Sequence, residues 1–511
     1  MKRIVWAPDL RLTDGMKTGV SRRAFLAAGV SVLGGMAWAK APAVSLRPRL
    51  RPDGFVRGAA PEADSLIRAA IVGGDVSFSV MDVKTGLILE EHEASEGQPP
   101  ASVMKAVTAL YALNSLGAGY RFKTQLIATG PVEGGILKGD LILAGGGDPT
   151  LDTDALADMA ASLKKKGVRE VRGQFRTWGG ALPFEKVIDA GQPAHVGYNP
   201  SISGLNLNYN RVHFEWRRGG DGYQVTMDAR SKRYRPQVRV ARMIISTRSS
   251  PVYTYKDRGD HDSWTVARGA LGGRGARWLP VRKPAAYAGE VFTAFARSQG
   301  IILKDGGELR QSPKGTALVT HQSAPLREVL RGMLKYSTNL TAELVGMMAT
   351  RARKGQVQSL DASAREMGRW ARSELGMSGA KLVDHSGLGE ASRLTARAMT
   401  QALVKVGEDR ALRPILKDID LRDENGQVNR NHPVKVQAKT GTLYFVSSLA
   451  GYMTAPDGTN LAFAILCSNM GNRAKIDPSV TERPPGARNW NKRAKQLQQK
   501  LIERWGMVYG S

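Results

Sequence analysis

The sequence predicts an α+β fold in which one antiparallel sheet, flanked by helices, takes strands from both ends of the chain. Residues 76–89 alternate apolar and polar side chains around a Lys-Thr-Gly turn, which predicts a hairpin. Residues 446–468 form two apolar segments around a Pro-Asp-Gly turn, which predicts a second hairpin. Helical patterns lie between the hairpins, and a stretch rich in glycine and short apolar segments interrupts them at 123–318.

The helices are predicted from the periodicity of apolar side chains. Two prolines precede residues 102–116, where apolar residues recur with helical spacing and predict the first long helix. Within residues 123–318, only 153–166 and 285–299 show strong helical patterns, so the rest of this stretch is expected to be mostly β. From about residue 323 to 406 the chain is mainly helical again.

A chain of 511 residues exceeds what one hydrophobic core usually supports, so we expect more than one domain. The order of elements predicts a discontinuous domain formed by residues 63–122 and 319–511. Residues 123–318 would form an inserted, mostly β domain or domains. Residues 40–62 are rich in proline and arginine, and we interpret them as a linker.

Residues 1–39 have the features of an export signal. Arg22 and Arg23 precede a short apolar stretch that runs to Gly35, and small residues suitable for cleavage follow it. Paired arginines in this position are typical of twin-arginine signals. An uncleaved membrane anchor is the alternative, but the apolar stretch is short and glycines break it. We therefore expect an exported, periplasmic protein.

The chain is strongly basic, with 74 Lys and Arg against 46 Asp and Glu and a net charge of +28. Residues 1–39 hold six of the basic and two of the acidic side chains, so the remainder carries +24. Such a field attracts polyanions, and export makes an anionic wall or membrane surface the expected partner, not nucleic acid. A role in solubility alone is the alternative. The single cysteine, Cys467, excludes an internal disulfide and lies in an apolar run that predicts a buried strand.

Ser102 and Lys105 are the candidates for a nucleophile and its base. Serine attacks well only when a base removes its proton, and residues three apart on a helix share a face. The N-terminus of the helix would face the oxygen that gains negative charge. Lys105 must be neutral to accept a proton, which requires burial to lower its pKa. Ser162 and Lys165 have the same spacing at a Lys-rich helix end, where we expect a solvated surface.

A Lys-Thr-Gly motif occurs three times, at residues 17–19, 84–86 and 439–441. The first copy lies in the signal segment and the second forms the turn of the first hairpin. Only the third lies between apolar, strand-like segments on both sides. A substrate could bind alongside such a strand edge through main-chain hydrogen bonds.

Each residue of the third copy and the residue after it has a possible binding role. Gly441 would let a substrate approach the backbone closely. Lys439 and the hydroxyls of Thr440 and Thr442 could hold a terminal carboxylate. The N–H groups of Thr442 and Ser102 could together form an oxyanion hole.

Ser337 and Asn339 follow an apolar helical segment and are expected in a loop at its end. Ser337 could relay a proton to a leaving amine, while Asn339 could bind a substrate carbonyl and Lys105. The alternative for either residue is an ordinary helix cap, which the motif alone would favour.

Taken together and in this order, the three motifs resemble those of the D-alanyl-D-alanine carboxypeptidase/endopeptidase family of low-molecular-mass, class C penicillin-binding proteins. The 235 residues from Ser102 to Ser337 are similar to the branch that carries a large insert. The segments 139–151, 205–210, 438–443 and 449–452 also resemble this family. The resemblance implies a penicillin-binding, transpeptidase-like (β-lactamase-like) fold with an inserted β region.

The resemblance also implies an activity and a set of roles. The protein would be a periplasmic serine-type D-Ala-D-Ala carboxypeptidase/endopeptidase acting on peptidoglycan stem peptides, with β-lactam antibiotics as covalent inhibitors. The implied catalytic residues are Ser102, Lys105 and Ser337, and the implied substrate-binding residues are Asn339, Lys439, Thr440, Gly441 and Thr442. No cofactor is implied, and seven scattered histidines with no Cys pair give no metal motif.

Two other functions stay open from the sequence. A β-lactamase would share the first chemical steps, and a non-catalytic peptidoglycan-binding protein would keep the fold without turnover. The segment 190–198 lacks the Trp and the carboxylate that family members often have there. His385 and Gly389 replace the usual Gly and Ser of the family, and we expect His385 to be a packed or exposed side chain and not a catalytic one.

Overall fold

The computed structural model describes residues 60–407, 411–423, 425–477 and 484–510. The predicted signal segment (1–39) and most of the predicted linker (40–62) lie outside these residues. The helices are α1 (Ala63–Ala70), α2 (Met104–Leu116), α3 (Thr153–Lys165), α4 (Pro284–Ser298), α5 (Leu326–Tyr336), α6 (Asn339–Lys354), α7 (Leu360–Leu375), α8 (Ala396–Val406), α9 (Met470–Arg473) and α10 (Ala487–Tyr509).

The strands divide among five sheets. They are β1 (Asp75–Asp82), β2 (Ile88–His92), β3 (Lys123–Ala128), β4 (Val132–Glu133), β5 (Ile136–Leu137), β6 (Leu141–Gly145), β7 (Glu170–Val171), β8 (Phe175–Trp178), β9 (Arg211–Gly219), β10 (Gly222–Asp228), β11 (Ala241–Ser246), β12 (Tyr253–Asp257), β13 (Asp262–Ala267), β14 (Arg274–Pro280), β15 (Asp305–Glu308), β16 (Thr316–Gln322), β17 (Lys417–Asp418), β18 (Lys435–Leu443), β19 (Val446–Thr454) and β20 (Asn460–Ser468).

The largest sheet is antiparallel throughout, in the order β17-β18-β19-β20-β1-β2. Both predicted hairpins are present, as β1–β2 and β19–β20. They join through β1 and β20, which pair from Asp75 opposite Ser468 to Asp82 opposite Leu461. Strands from both ends of the chain therefore meet in one sheet, and the predicted α+β class is confirmed.

Each face of this sheet is covered by helices because its central strands are apolar on both sides. On β20, Phe463 and Ile465 pack with α10 and α1, while Ala464 and Leu466 pack with the helices α2 and α5–α8. Successive residues alternate between faces, so one strand serves two cores. Burying a side chain such as Phe463 contributes about 2 kcal/mol. Cys467 is buried on this strand, as predicted.

The chain between β3 and β16 forms the other four sheets, one of five strands and three of three strands. Its largest sheet has the order β15-β8-β6-β3-β16. The first and last strands of this stretch are neighbours, with Lys123 opposite Gln322, so the chain enters and leaves at one place. A separate apolar cluster fills this region, with members from Leu126 to Val319. The division into a 63–122 plus 319–511 domain and a 123–318 insert stays a prediction.

The predicted helices agree closely with the structure. The patterns at 153–166 and 285–299 correspond to α3 and α4. The helix predicted at 102–116 begins two residues later, at Met104, because residues 101–103 form a short 3-10 turn before α2. Across the described part of the chain, no helix combines the length and the apolar character needed to cross a membrane.

Candidate active site

Ser102 lies in the 3-10 turn that leads into α2. Two glycines allow other segments to touch this turn. A Cβ atom on Gly441 of β18 would lie 3.0 Å from the Ser102 nitrogen and from the Pro100 oxygen. A Cβ atom on Gly387 would lie 1.9 Å from the Ala101 oxygen, and Gly387 has φ +75°. Any side chain at either position would push its segment away from Ser102.

Lys105 lies beneath Ser102 with its side chain fully buried. Its Nζ donates to Ser102 Oγ at 2.9 Å, to Asn339 Oδ1 at 2.7 Å and to the Ser386 carbonyl at 2.8 Å. Burial lowers the pKa of Lys105 to about 8, and the carboxyl groups of Glu343 and Asp384 oppose this shift. A lysine with a pKa lowered in this way can lose its proton at a pH only slightly above neutral.

Ser337 and Asn339 do not share the loop that the sequence suggested. Ser337 ends α5 in the left-handed conformation, with φ +56°, and Asn339 is already the first residue of α6. Ser337 is the C-cap residue of α5, and Thr338 is the N-cap residue of α6 and makes no side-chain capping bond, so neither Ser337 nor Asn339 is the N-cap of α6. The sharp turn between the two helices directs Asn339 Oδ1 to Lys105, while Asn339 Nδ2 donates to the Tyr198 carbonyl at 2.9 Å.

Lys439 is the second buried lysine of the site, with 1% of its surface exposed. Its Nζ donates to Ser337 Oγ at 3.0 Å and to the Thr440 carbonyl at 2.6 Å. Burial, followed by the positive charges of Lys105 and Lys417, lowers the pKa of Lys439 to about 6. A bound carboxylate would favour the protonated form of Lys439, so the anion would itself stabilise the positive charge that holds it.

The edge of β18 next to this lysine is uncovered. β17 pairs only with Gln437 and Ala438, so in the described residues the edge from Lys439 onward has no strand partner on that side. Such an edge offers main-chain donors and acceptors to an extended ligand.

The predicted residues converge on one cleft of about 380 Å³. Ser102, Ser337, Asn339 and Thr442 line it, and Lys105 and Lys439 lie below its floor. Thr440 and Gly441 face a larger groove that shares Thr442 with the cleft. In the described ranges, no group of three His, Cys, Asp or Glu residues is placed to hold a metal ion.

Sequence reasoning missed several groups that complete the site. The Ser386 carbonyl binds Lys105, and the buried carboxyl groups of Glu343 and Asp384 lie nearby. The cleft wall also contains Glu390, whose carboxylate lies 3.4 Å from Arg473. The segment 384–390 stood out in the sequence only as a family resemblance, and a main-chain carbonyl leaves no residue-type signal.

His385 is packed, as expected, and not catalytic in geometry. It is fully buried and stacks on Tyr111, with its ring Nε2 2.8 Å from Ser363 Oγ. Burial lowers its pKa to about 3, so it is a neutral core side chain. Gly346 faces it so closely that a Cβ there would lie 2.2 Å from the ring. His195 lies outside the cleft and stacks on Tyr253.

The arrangement combines a partly exposed hydroxyl, a buried amine hydrogen-bonded to it, and a second hydroxyl held by a second buried amine. The amine of Lys105 and the hydroxyl of Ser102 lie within proton-transfer distance. Lys439 and Ser337 form a matching pair on the other side of the cleft. This geometry suits nucleophilic acyl transfer followed by protonation of a leaving amine.

Comparison with known proteins agrees with this geometry. A sequence model of the D-Ala-D-Ala carboxypeptidase 3 (S13) family matches residues 63–481. The D-alanyl-D-alanine carboxypeptidase of Actinomadura sp. is 30% identical over 448 residues, covering 79% of this chain and 80% of that protein. DacB, a D-alanyl-D-alanine carboxypeptidase of Haemophilus influenzae, is 23% identical over 413 residues, covering 76% and 85%. The crystal structure of penicillin binding protein 4 (dacB) from Haemophilus influenzae has a TM-score of 0.67 at 20% identity, covering 86% and 99%.

Proposed function

The chain belongs to the D-Ala-D-Ala carboxypeptidase 3 (S13) family and is a peptidase, and from this premise we propose that it removes the terminal D-alanine from peptidoglycan stem peptides through an acyl-enzyme on Ser102. The observation that carries the proposal is the 2.9 Å hydrogen bond between Ser102 Oγ and a completely buried Lys105. That pair supplies the nucleophile and a base whose pKa is low enough to work.

The acylation step follows from these contacts. Ser102 Oγ attacks the carbonyl of the penultimate D-alanine while Lys105 takes its proton. The N–H groups of Ser102 and Thr442 hold the oxyanion. The C–N bond then breaks, and the leaving amine takes a proton through Ser337, which Lys439 orients at 3.0 Å. Water hydrolyses the ester and regenerates the Ser102 hydroxyl.

Substrate binding uses the uncovered edge of β18. The terminal carboxylate would bind Lys439 and the hydroxyls of Thr440 and Thr442, while Gly441 allows the substrate close to the strand. Asn339 would bind the substrate carbonyl. The cyclic amide of a β-lactam presents a carbonyl and a carboxylate in a similar relation, so these antibiotics would acylate Ser102 and inhibit the enzyme.

Cleavage of cross-links is the second activity that we propose for the same site. The groove that shares Thr442 with the cleft has a volume of about 1660 Å³, which is room for a ligand much larger than a dipeptide. Incubation with cross-linked muropeptides, followed by mass spectrometry, should reveal monomers. If only pentapeptides lose a residue, the activity is limited to carboxypeptidase cleavage.

The groove also supports an anionic wall partner. Its lining includes five basic side chains, Lys417, Arg422, Arg488, Lys492 and Lys495, against two acidic ones, Asp418 and Asp420. We infer that it holds carboxylate-bearing parts of the sacculus. Binding to purified sacculi should weaken with salt and with Lys492→Glu plus Lys495→Glu, whereas exchange of basic residues outside the groove should leave it intact.

We further propose that the protein works in the periplasm, exported by the twin-arginine segment 1–39. Cell fractionation of the native chain and of an Arg22→Lys, Arg23→Lys variant tests this. Retention of the variant in the cytoplasm is expected, and equal export of both forms would contradict it.

Labelled penicillin and D-alanine release together test the main proposal. We expect stable covalent label on Ser102 and release of D-alanine from a pentapeptide, both lost in Ser102→Ala. Ser162→Ala is the matched control and should keep both. Rapid turnover of the penicillin would instead indicate a β-lactamase, and a folded protein with neither label nor release would indicate a non-catalytic wall-binding protein.

A further inference from the structure

Glu343 is a completely buried acid that the acylation chemistry does not use. It lies one helical turn after Asn339 on α6, so both side chains share the face that looks towards Lys105. Its Oε2 accepts the His385 N–H at 2.8 Å. Its Oε1 is buried and has no hydrogen-bond partner among the described residues. Burying a carboxyl group in this way costs free energy unless the group is protonated or faces a cation.

The charged groups around Glu343 come from two neighbouring segments. α2 contributes Lys105, and the loop at 384–389 contributes Asp384. His385, in the same loop, is a neutral side chain whose pKa burial lowers to about 3. The Ser386 hydroxyl donates to Asp384 Oδ2 at 3.4 Å and also lies near Glu343, where it favours the ionised carboxylate. Two acids and one amine therefore lie together in one buried cluster.

The two acids differ in how many donors they have. Asp384 accepts the N–H groups of Gly387 at 2.8 Å and Gly389 at 2.6 Å, one on each oxygen. Within the part of the chain that the structure describes, Glu343 has one main-chain donor, and its other oxygen has no partner. Donated hydrogen bonds favour the ionised form, so a single proton shared by the two acids belongs on Glu343. Burial and the charge of Asp384 raise the pKa of Glu343, in agreement with this assignment.

The same contacts connect Glu343 to the base. The Ser386 carbonyl accepts from Lys105 Nζ at 2.8 Å, and it lies between two residues whose N–H groups are held by Glu343 and Asp384. Ionised Glu343 would hold Lys105 in its charged form, whereas protonated Glu343 removes that attraction.

We propose that Glu343 is a positioning residue that governs Lys105 from behind the active site: it fixes the loop that holds the amine, and its own proton removes a negative charge that would otherwise keep Lys105 protonated. This rests on the proposed function, in which Lys105 is the base. Glu343 touches neither the substrate nor Ser102, so its effect is on the pH at which the base becomes competent.

The test compares the rate of acylation by labelled penicillin across pH in the full-length protein, Glu343→Gln and Glu366→Gln. Glutamine keeps an acceptor for the His385 N–H and carries no charge, as protonated Glu343 does, so Lys105 has the same surroundings in both proteins wherever wild-type Glu343 holds its proton. The acid limb of the Glu343→Gln profile should therefore coincide with that of wild type below pH 7, and above pH 8, where wild-type Glu343 gives up its proton and its charge holds Lys105 protonated, the variant should be faster by up to about tenfold. Glu366 is another buried acid that binds Arg369 and Lys354, and its variant should keep the wild-type profile.

A downward shift of the acid limb by about one pH unit in folded Glu343→Gln, or profiles that also coincide above pH 8, would overturn the proposal. Infrared titration of the wild-type protein gives a second measurement if that variant does not fold. A buried carboxyl group that stays protonated at pH 7 supports the assignment, and complete ionisation of all carboxyl groups at pH 7 overturns it. Absence of acylation in the wild type at every pH would instead reject the proposed function, and the infrared result would still decide the state of Glu343.

Discussion

The start of α2 and the end of α3 carry the same Ser-x-x-Lys spacing in opposite settings. Ser102 and Lys105 lie where α2, α6 and β18 meet, and Lys105 is completely buried. Ser162 bonds to the Asp158 carbonyl of its own helix at 2.8 Å, and Lys165 is exposed. Both serines lie three residues before a lysine on a helical turn, yet only one lysine is directed to its serine.

The comparison shows that the motif provides the reactive groups, whereas the surrounding residues set their protonation state and orientation. An exposed lysine remains a hydrated cation and cannot take a proton from a serine. Burial changes that state, and burial comes from other parts of the chain. The Lys-Thr-Gly copies repeat the lesson, because residues 84–86 form an exposed turn in which Thr85 bonds to Asp82, whereas Lys439 is buried. The copy at 17–19 lies outside the described residues.

The largest difference between the two Ser-x-x-Lys sites should appear when the lysine of each site is replaced. We expect Lys105→Met to slow acylation of Ser102 by about 10³-fold, since a positioned general base contributes about 10² to 10⁴. Lys165→Met should leave the rate unchanged, because it removes an exposed side chain. Stopped-flow measurement with labelled penicillin gives both rates. Equal losses of the acylation rate in the two variants would show that burial and neighbouring residues do not distinguish the two lysines.

A smaller difference should appear when the lysine of each described Lys-Thr-Gly copy is replaced. Lys439→Ala should raise the KM for a peptide ending in a carboxylate by about 10- to 100-fold, since a hydrogen bond to a charged group contributes about 1.5–3 kcal/mol. Lys84→Ala should leave KM unaltered. Steady-state release of D-alanine measures both. A peptide amide without the carboxylate serves as the control substrate, and equal loss on it would argue against an anchoring role.

The smallest of the expected effects is the change of the acylation rate with pH near neutrality. Lys105 has its pKa lowered to about 8, so it is protonated below that value and cannot accept the Ser102 proton. The acylation rate should therefore rise about tenfold per pH unit towards pH 8 and then level off. A pH series of second-order rate constants tests this. A rate independent of pH between 6 and 8 would mean that Lys105 is neutral over the whole range.

The sequence predicts most of the fold because the signals for it are local. Alternation and turn residues identified both hairpins, and apolar periodicity identified α2, α3 and α4 within one or two residues. Ser337 and Asn339 were predicted to lie in a loop. A single sequence does not distinguish a loop from a sharp turn after which a second helix starts almost at once, as α6 does at Asn339. Glu343 gave no signal at all, because an acid in a helix is usually exposed.

The sequence by itself determined which atoms can react and in which order the motifs occur, and it determined the single sheet built from both chain ends. Tertiary structure alone decided which serine and lysine act together. Two acceptors of Lys105, on Asn339 and Ser386, lie 234 and 281 residues away along the chain. The protonation of a lysine depends on the water removed and the charges brought near, and distant segments set both.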